Sequence, residues 1–255
     1  MGLFVDSNIS TTEDLRAYDS QILTVANIEQ VDLPTKLKLA EREIQVELQA
    51  ILGRSSSGPN TQASPTIIDL SRVVVTEPLR QWHCLRTLVM VYQDVFHSQL
   101  NDRYEARWKE FLRLDQRTSA LLRDTGLGLV SDPVPAARIP TVDISGGPME
   151  PATYYIRVAW VNSGEQQGRP SETTAAIADT FHTLTVTAIE APANAIGWNV
   201  YAGATSSTMA KQNQEVLLPG AVWTLPLSGL AAGIPPTEGQ QPDYFCRPGG
   251  LLPRG

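Results

Sequence analysis

Between Ala152 and Ser171 the chain reads ATYYIRVAWVNSGEQQGRPS. Tyr154, Ile156, Val158 and Trp160 fall at every second position, with Tyr155, Arg157, Ala159 and Val161 between them. Alternation of that kind sends two sets of side chains to opposite faces of an extended strand. Upstream the rule is different: apolar residues recur every three or four positions, the spacing of one helix face. The change of period divides the chain, and 255 residues suffice for two units that each bury a core.

The helical half predicts four helices. The first starts at Thr11 or Thr12, where a hydroxyl can cap free amides and Glu13 and Asp14 complement the dipole, and it carries Leu15, Tyr18, Ile22 and Val25 inward. The second opens on Asp32, Leu33 and Pro34, shows a stripe of Leu37, Ala40, Ile44, Leu48 and Ile51, and stops at Gly53. RSSSGPNTQASP, from Arg54 to Pro65, offers almost nothing to bury and reads as a mobile loop. A third helix begins near Thr76 with Leu79, Trp82, Leu85, Val89, Tyr92 and Phe96. After a break around 98–102 a fourth runs to Gly126 with Tyr104, Trp108, Phe111, Leu112, Leu121 and Leu122. Four helices with one long connection predict a small four-helix bundle over 1–126.

Five prolines between Pro133 and Pro151 and the Gly146-Gly147 pair make 127–150 a linker, with a first edge strand at 138–142. Strands follow at 153–162, 172–178, 183–188, 196–202, 213–218 and 222–227, the short regular spacing of an antiparallel β-sandwich over 151–230. Residues 231–255 hold five prolines and five glycines, too many to fold alone, yet include Tyr244, Phe245, Leu251 and Leu252. These four are the candidate partner-docking residues of an extended C-terminal arm. The fold class expected is therefore α+β in two domains.

Residues 1–127 carry 14 basic and 17 acidic side chains, and 128–255 carry 6 and 10. Neither half is the basic surface that nucleic acids attract. Cys84 and Cys246 stand in separate contexts, which offers no disulfide framework and fits a reducing compartment. Met1 is followed by GLFVDSNISTTED, without the basic start and apolar run of a signal peptide, and no stretch has the length of a membrane span. A soluble protein, with no membrane partner, is expected.

No constellation for catalysis emerges, so no enzyme activity, metal or cofactor is expected. His83 and His97 are fourteen residues apart, His182 is elsewhere, and all three read as structural. Cys84 follows His83 directly, so the two point in different directions on a helix and Cys84 reads as a small core residue. Cys246 shows no activating neighbour. Gly126 and Gly128 lack the preceding strand and third glycine of a dinucleotide loop and read as a helix stop. Glu13 with Asp14, and Glu41, Glu43 and Glu47 with Arg42, suit solvated faces and caps. Arg103, Arg107, Arg113, Arg117 and Arg123 are interspersed with Glu105, Glu110, Asp115 and Asp124, the pattern of a solvated or protein-contacting face rather than a phosphate track. Trp82, Trp108, Trp160, Trp198 and Trp223 all fall in predicted elements and read as core.

TYYIRVAWVNSGEQQGRPSE followed by LTVTAIEAPANAIGWNVYAGATSS resembles the fibronectin type III and immunoglobulin-like domains common in tailed-bacteriophage structural proteins, over about residues 140–230. The helical half, from TTEDLRAYDSQILTVANIE through the long loop to the paired helices, is similar to the head-tail connector, or adaptor, proteins of the same phages over roughly 10–126. The resemblance implies a structural virion protein, made in the host cytoplasm, that forms a homo-oligomeric, usually dodecameric, ring beneath the portal protein. Its partners would be further copies of itself, the portal, and tail or head-completion proteins. DNA would pass through the ring without sequence-specific binding. The alternative is a tail or baseplate binding module whose sandwich recognises a host-surface glycan or protein, since a fold of this kind does not fix its function. A hydrolase has least support.

Overall fold

A computed structural model of the chain describes residues 1–6, 8–55, 69–99, 102–247 and 250–253. It is mixed α+β. The helices are α1 (Thr12–Tyr18), α2 (Ile22–Ile28), α3 (Leu33–Ser55), α4 (Glu77–Gln99) and α5 (Glu105–Thr125). The strands are β1 (Leu127–Leu129), β2 (Thr141–Met149), β3 (Ala152–Asn162), β4 (Thr174–Ala178), β5 (His182–Thr187), β6 (Ala195–Gly203), β7 (Ala210–Lys211), β8 (Val222–Thr224), β9 (Tyr244–Arg247) and β10 (Gly250–Pro253). Two compact units result: Ser7–Ser131 with Pro242–Gly255, and Asp132–Gln241 with Met1–Asp6. Each unit thus takes in a segment from the far end of the chain. The division departs from the expected succession of helical domain, linker, sandwich and arm.

In the helical unit the first expected helix is two. Thr11 and Asp14 form a capping box at α1, and the chain then breaks at Asp19. That carboxylate turns inward, accepting hydrogen bonds from the Gln21 amide (3.0 Å), the Tyr92 hydroxyl and the Arg107 guanidinium (2.6 Å). A side chain with such partners is worth more to the fold than an unbroken helix of marginal length. Asp32 caps α3 by accepting from the amide and hydroxyl of Thr35. The α4 helix is the largest contributor to this apolar core, with Leu85, Leu88, Val91, Tyr92 and Val95 buried against Leu15, Ile22, Leu37 and Phe111. The loop expected over 54–65 lies from residue 56 onward outside the described residues, as do 100 and 101 in the expected break before α5.

The α5 helix ends at Gly126, whose φ of 99° lies where an L side chain is strained. Beyond it β1 opens a three-stranded antiparallel sheet in the order β1-β9-β10, with Leu127 paired to Cys246, Gly128 to Phe245 and Leu129 to Tyr244. On its other side β1 is bridged to Val73. Gly128 is required by crowding, since a Cβ there would lie 2.8 Å from the Pro242 ring and 2.9 Å from the Thr76 methyl. The stretch expected to be a linker therefore contains two strands, β1 and β2, because its glycines serve close backbone approach as well as flexibility.

The other unit has two antiparallel sheets, ordered β2-β5-β8 and β4-β3-β6-β7. Along β3 and β6 the register pairs Ile156 with Ala202, Val158 with Val200 and Trp160 with Trp198. All six are buried, and they share one apolar core with Leu184, Val186 and Trp223 of the other sheet. The edge of β3 beyond its pairing with β4 is covered too: Gly168 and Ser171 return along it, donating to the carbonyls of Trp160 (2.9 Å) and Val158 (2.8 Å). Residues 213–218, expected as a strand, contribute only an isolated bridge from Leu217 to Trp198, while the short β7 precedes them. Asn162, Gln166 and Gln240 form a polar network with the Asp132 carbonyl and the Val134 amide, which ties residue 240 into this unit.

Candidate interaction surfaces

Several of the titratable residues singled out in the sequence have partners within their own unit. His83 is 1% exposed. Its Nε2 lies 3.0 Å from the Leu37 carbonyl, so that nitrogen carries the proton, and Nδ1 accepts from the Ser10 hydroxyl at 2.6 Å. Ser10 is equally buried, which leaves a serine-histidine pair with no path to a substrate. Cys84 beside it has its thiol pushed up to about 11 by burial, the opposite of an activated nucleophile. His97 is exposed and packs edge-on against Trp108, and buried His182 packs against Tyr154. Among the described residues no group of three or more His, Cys, Asp or Glu could hold a metal ion. No helix among them is long and apolar enough to cross a membrane.

Burial lowers the pKa of His83, the Leu37 carbonyl opposing it. A histidine held neutral in the fold is protonated more readily in the unfolded chain, so the helical unit loses stability as pH falls below the ordinary histidine value of about 6.5. Asp19 acts lower on the scale: burial pushes its carboxyl up, but bonds from Tyr92, Arg107 and Gln21 outweigh it, and the net shift is downward. Its contribution is present above the ordinary carboxylate value of about 3.9 and is lost as pH falls through the lowered one. Thermal melts from pH 7 to pH 5 should show a falling transition for the wild type. The slope should flatten in His83→Gln, and an unchanged slope would show that His83 is not its source.

The arginine series divides. Arg107 binds Asp19, and Arg123 reaches Glu47 at 2.8 Å. Arg113 and Arg117 remain exposed on α5, and the Arg103 guanidinium lies over the Tyr104 ring. The strongest centre is one the sequence reading passed over. Arg86 of α4 donates from Nε and Nη2 to both oxygens of Asp115 (3.0 and 3.1 Å) and also reaches Glu43 (3.0 Å) and Glu47 (3.2 Å). Burial alone would depress its pKa, but the three carboxylates outweigh that and hold it protonated. Asp115 carried a signal, for it occupies the apolar stripe of α5 between Phe111 and Leu122.

The buried carboxylates Asp19 and Asp115 are paired inside the helical unit, and part of the unit's surface is apolar. Ile28 is 57% exposed and Val46 65%, and Leu23, Leu39 and Leu121 are exposed as well. A shallow groove of about 290 Å³ runs between α3 and α4, lined by Leu39, Met90 and His97 and crossed by the Lys36–Asp94 ion pair. The sheet unit differs in charge: the segments Met1–Asp6 and Asp132–Gln241 hold 4 basic and 10 acidic residues, a formal −6, against 16 and 17 in the helical unit.

The four residues expected to dock a partner lie on the β9–β10 hairpin. Tyr244 and Phe245 are half-buried beside the fully buried Cys246. The backbone of Leu251 pairs with Cys246, and that of Leu252 with Phe245. The hairpin is added to β1 of its own chain, a placement no sequence signal at Leu127–Leu129 announced. Comparison with known proteins finds no family model, no curated protein and no solved structure that matches this chain.

Proposed function

We propose that this protein is a structural component of a tailed-phage virion, a head-tail connector that assembles as a ring beneath the portal and joins the capsid vertex to the tail. In this reading the helices form the ring-building bundle and the two sheets a fibronectin type III or immunoglobulin-like sandwich carried outside it. The observation that carries the reading is the exposure of large apolar side chains on several helices of a unit whose buried charges are internally paired. Such a surface is what a neighbouring subunit covers. The net −6 of the sheet unit suits a part kept away from DNA.

The test is co-sedimentation of the purified chain with portal rings from candidate phages, followed by negative-stain imaging. Stoichiometric binding as a ring is the expected result. A chain that ignores portals but binds a glycan through residues 140–230 would instead support the tail or baseplate reading.

A further inference from the structure

The outer face of α3 carries Lys38, Leu39, Arg42 and Val46 over about 12 Å of helix. All four are exposed, and neither Lys38 nor Arg42 makes an ion pair among the described residues. Glu41, the acid between them, is half-buried. The stripe is therefore cationic and apolar, with the exposed Glu43 at its border taken up by Arg86 at 3.0 Å.

The sheet unit presents the complement. Register pairs Ala152 with Ala178 and Met149 with His182, which sets the turn at Glu150–Pro151 beside the turn at Asp179–Phe181. Glu150 and Asp179 are both exposed there, and Ile177 and Phe181 are 63% and 60% exposed. Neither Glu150 nor Asp179 makes an ion pair among the described residues, where Arg138 pairs with Glu190 instead. The end of the unit is an acidic, apolar knob.

We propose that the α3 stripe of one copy receives the β2–β3 and β4–β5 turns of a second copy, with Val46 and Leu39 against Phe181 and Ile177 and with Lys38 and Arg42 facing Glu150 and Asp179. Two unlike surfaces meeting in this way form a heterologous contact, which propagates and closes into a ring where the rotation permits. The occupant is a second copy because the two patches match in both sign and apolarity and both are open on the same chain. The inference deepens the ring reading and rests on it.

The test is a charge swap in the full chain, read by sedimentation across protein concentration, alone and on portal rings. Arg42→Glu and Asp179→Lys should each weaken self-association at least tenfold, and the two together should restore it to within about threefold of wild type. Added salt should weaken the wild-type contact. Lys38→Glu serves in place of Arg42→Glu should the latter lower the melting temperature. Wild-type assembly that neither single variant disturbs overturns this contact and leaves the ring reading standing. Loss of portal binding with self-association intact makes the portal the occupant, and a wild type that stays monomeric in both settings overturns contact and ring reading together.

Discussion

Removal of residues 242–255 is expected to lower the melting temperature of the helical unit by about 15 °C while leaving the sheet unit's transition in place. Three residue pairs join β9 to β1, Asp243 donates its amide to the Leu129 carbonyl (2.8 Å), and its carboxylate accepts from the Ser131 amide (2.7 Å). Cys246 is completely buried. Hydrogen bonds at about 1 kcal/mol each, with the burial of Cys246 and parts of Tyr244 and Phe245, come to about 5 kcal/mol. That is a large share of the stability of any domain, and at this size each kcal/mol moves the midpoint by about 3 °C. Calorimetry of the full chain and of 1–241 checks it, and coincident helical transitions would show that the hairpin contributes nothing. A cut at 230 should injure both units, since Gln240 bonds the Val134 amide and the Ile234 carbonyl accepts from the Lys211 amide.

Arg86→Ala is expected to cost about 3 to 4 kcal/mol, a fall of roughly 10 °C. The cost lies in what is left behind: Asp115, 3% exposed, loses both partners to its oxygens, and a buried carboxylate stripped of its counterion is strongly destabilising. Glu43 and Glu47 lose less because they are more open to solvent. Replacing both members, Arg86→Met with Asp115→Leu, should recover most of the loss, because the desolvation of both charges disappears with them. Equal melting of the single and double variants would place the value of Arg86 in its packing over the Trp82 ring, 5.6 Å from the guanidinium carbon, rather than in the ion pair.

Periodic features were legible in the sequence and long-range polar ones were not. The stripes of α3 and α4 and the alternation of β3 are consequences of burying one face, so 3.6- and 2-residue spacings disclose them directly. Asp19 could not be read as a break between α1 and α2, because its partners Tyr92 and Arg107 stand 73 and 88 residues away. Arg86 was hidden for the same reason, with its carboxylates 29, 39 and 43 residues distant. Proline and glycine were the least transparent. In 127–150 they suggested a linker with one edge strand at 138–142 and in 231–255 chain that would not fold alone, yet β1 and β2 form in the first and β9 and β10 in the second, with β1 paired to β9 and β2 to β5 across long stretches of sequence. Of the surface now proposed for self-association, the alternating charges of α3 were visible, but only register brings Glu150 beside Asp179.

The central claim is that copies of this chain assemble as a ring beneath the portal, and native mass measurement tests it most directly. The chain weighs 27.8 kDa. The account predicts a single closed multiple of that mass, formed alone or on addition of portal rings. A spectrum showing only the monomer in both conditions would contradict it.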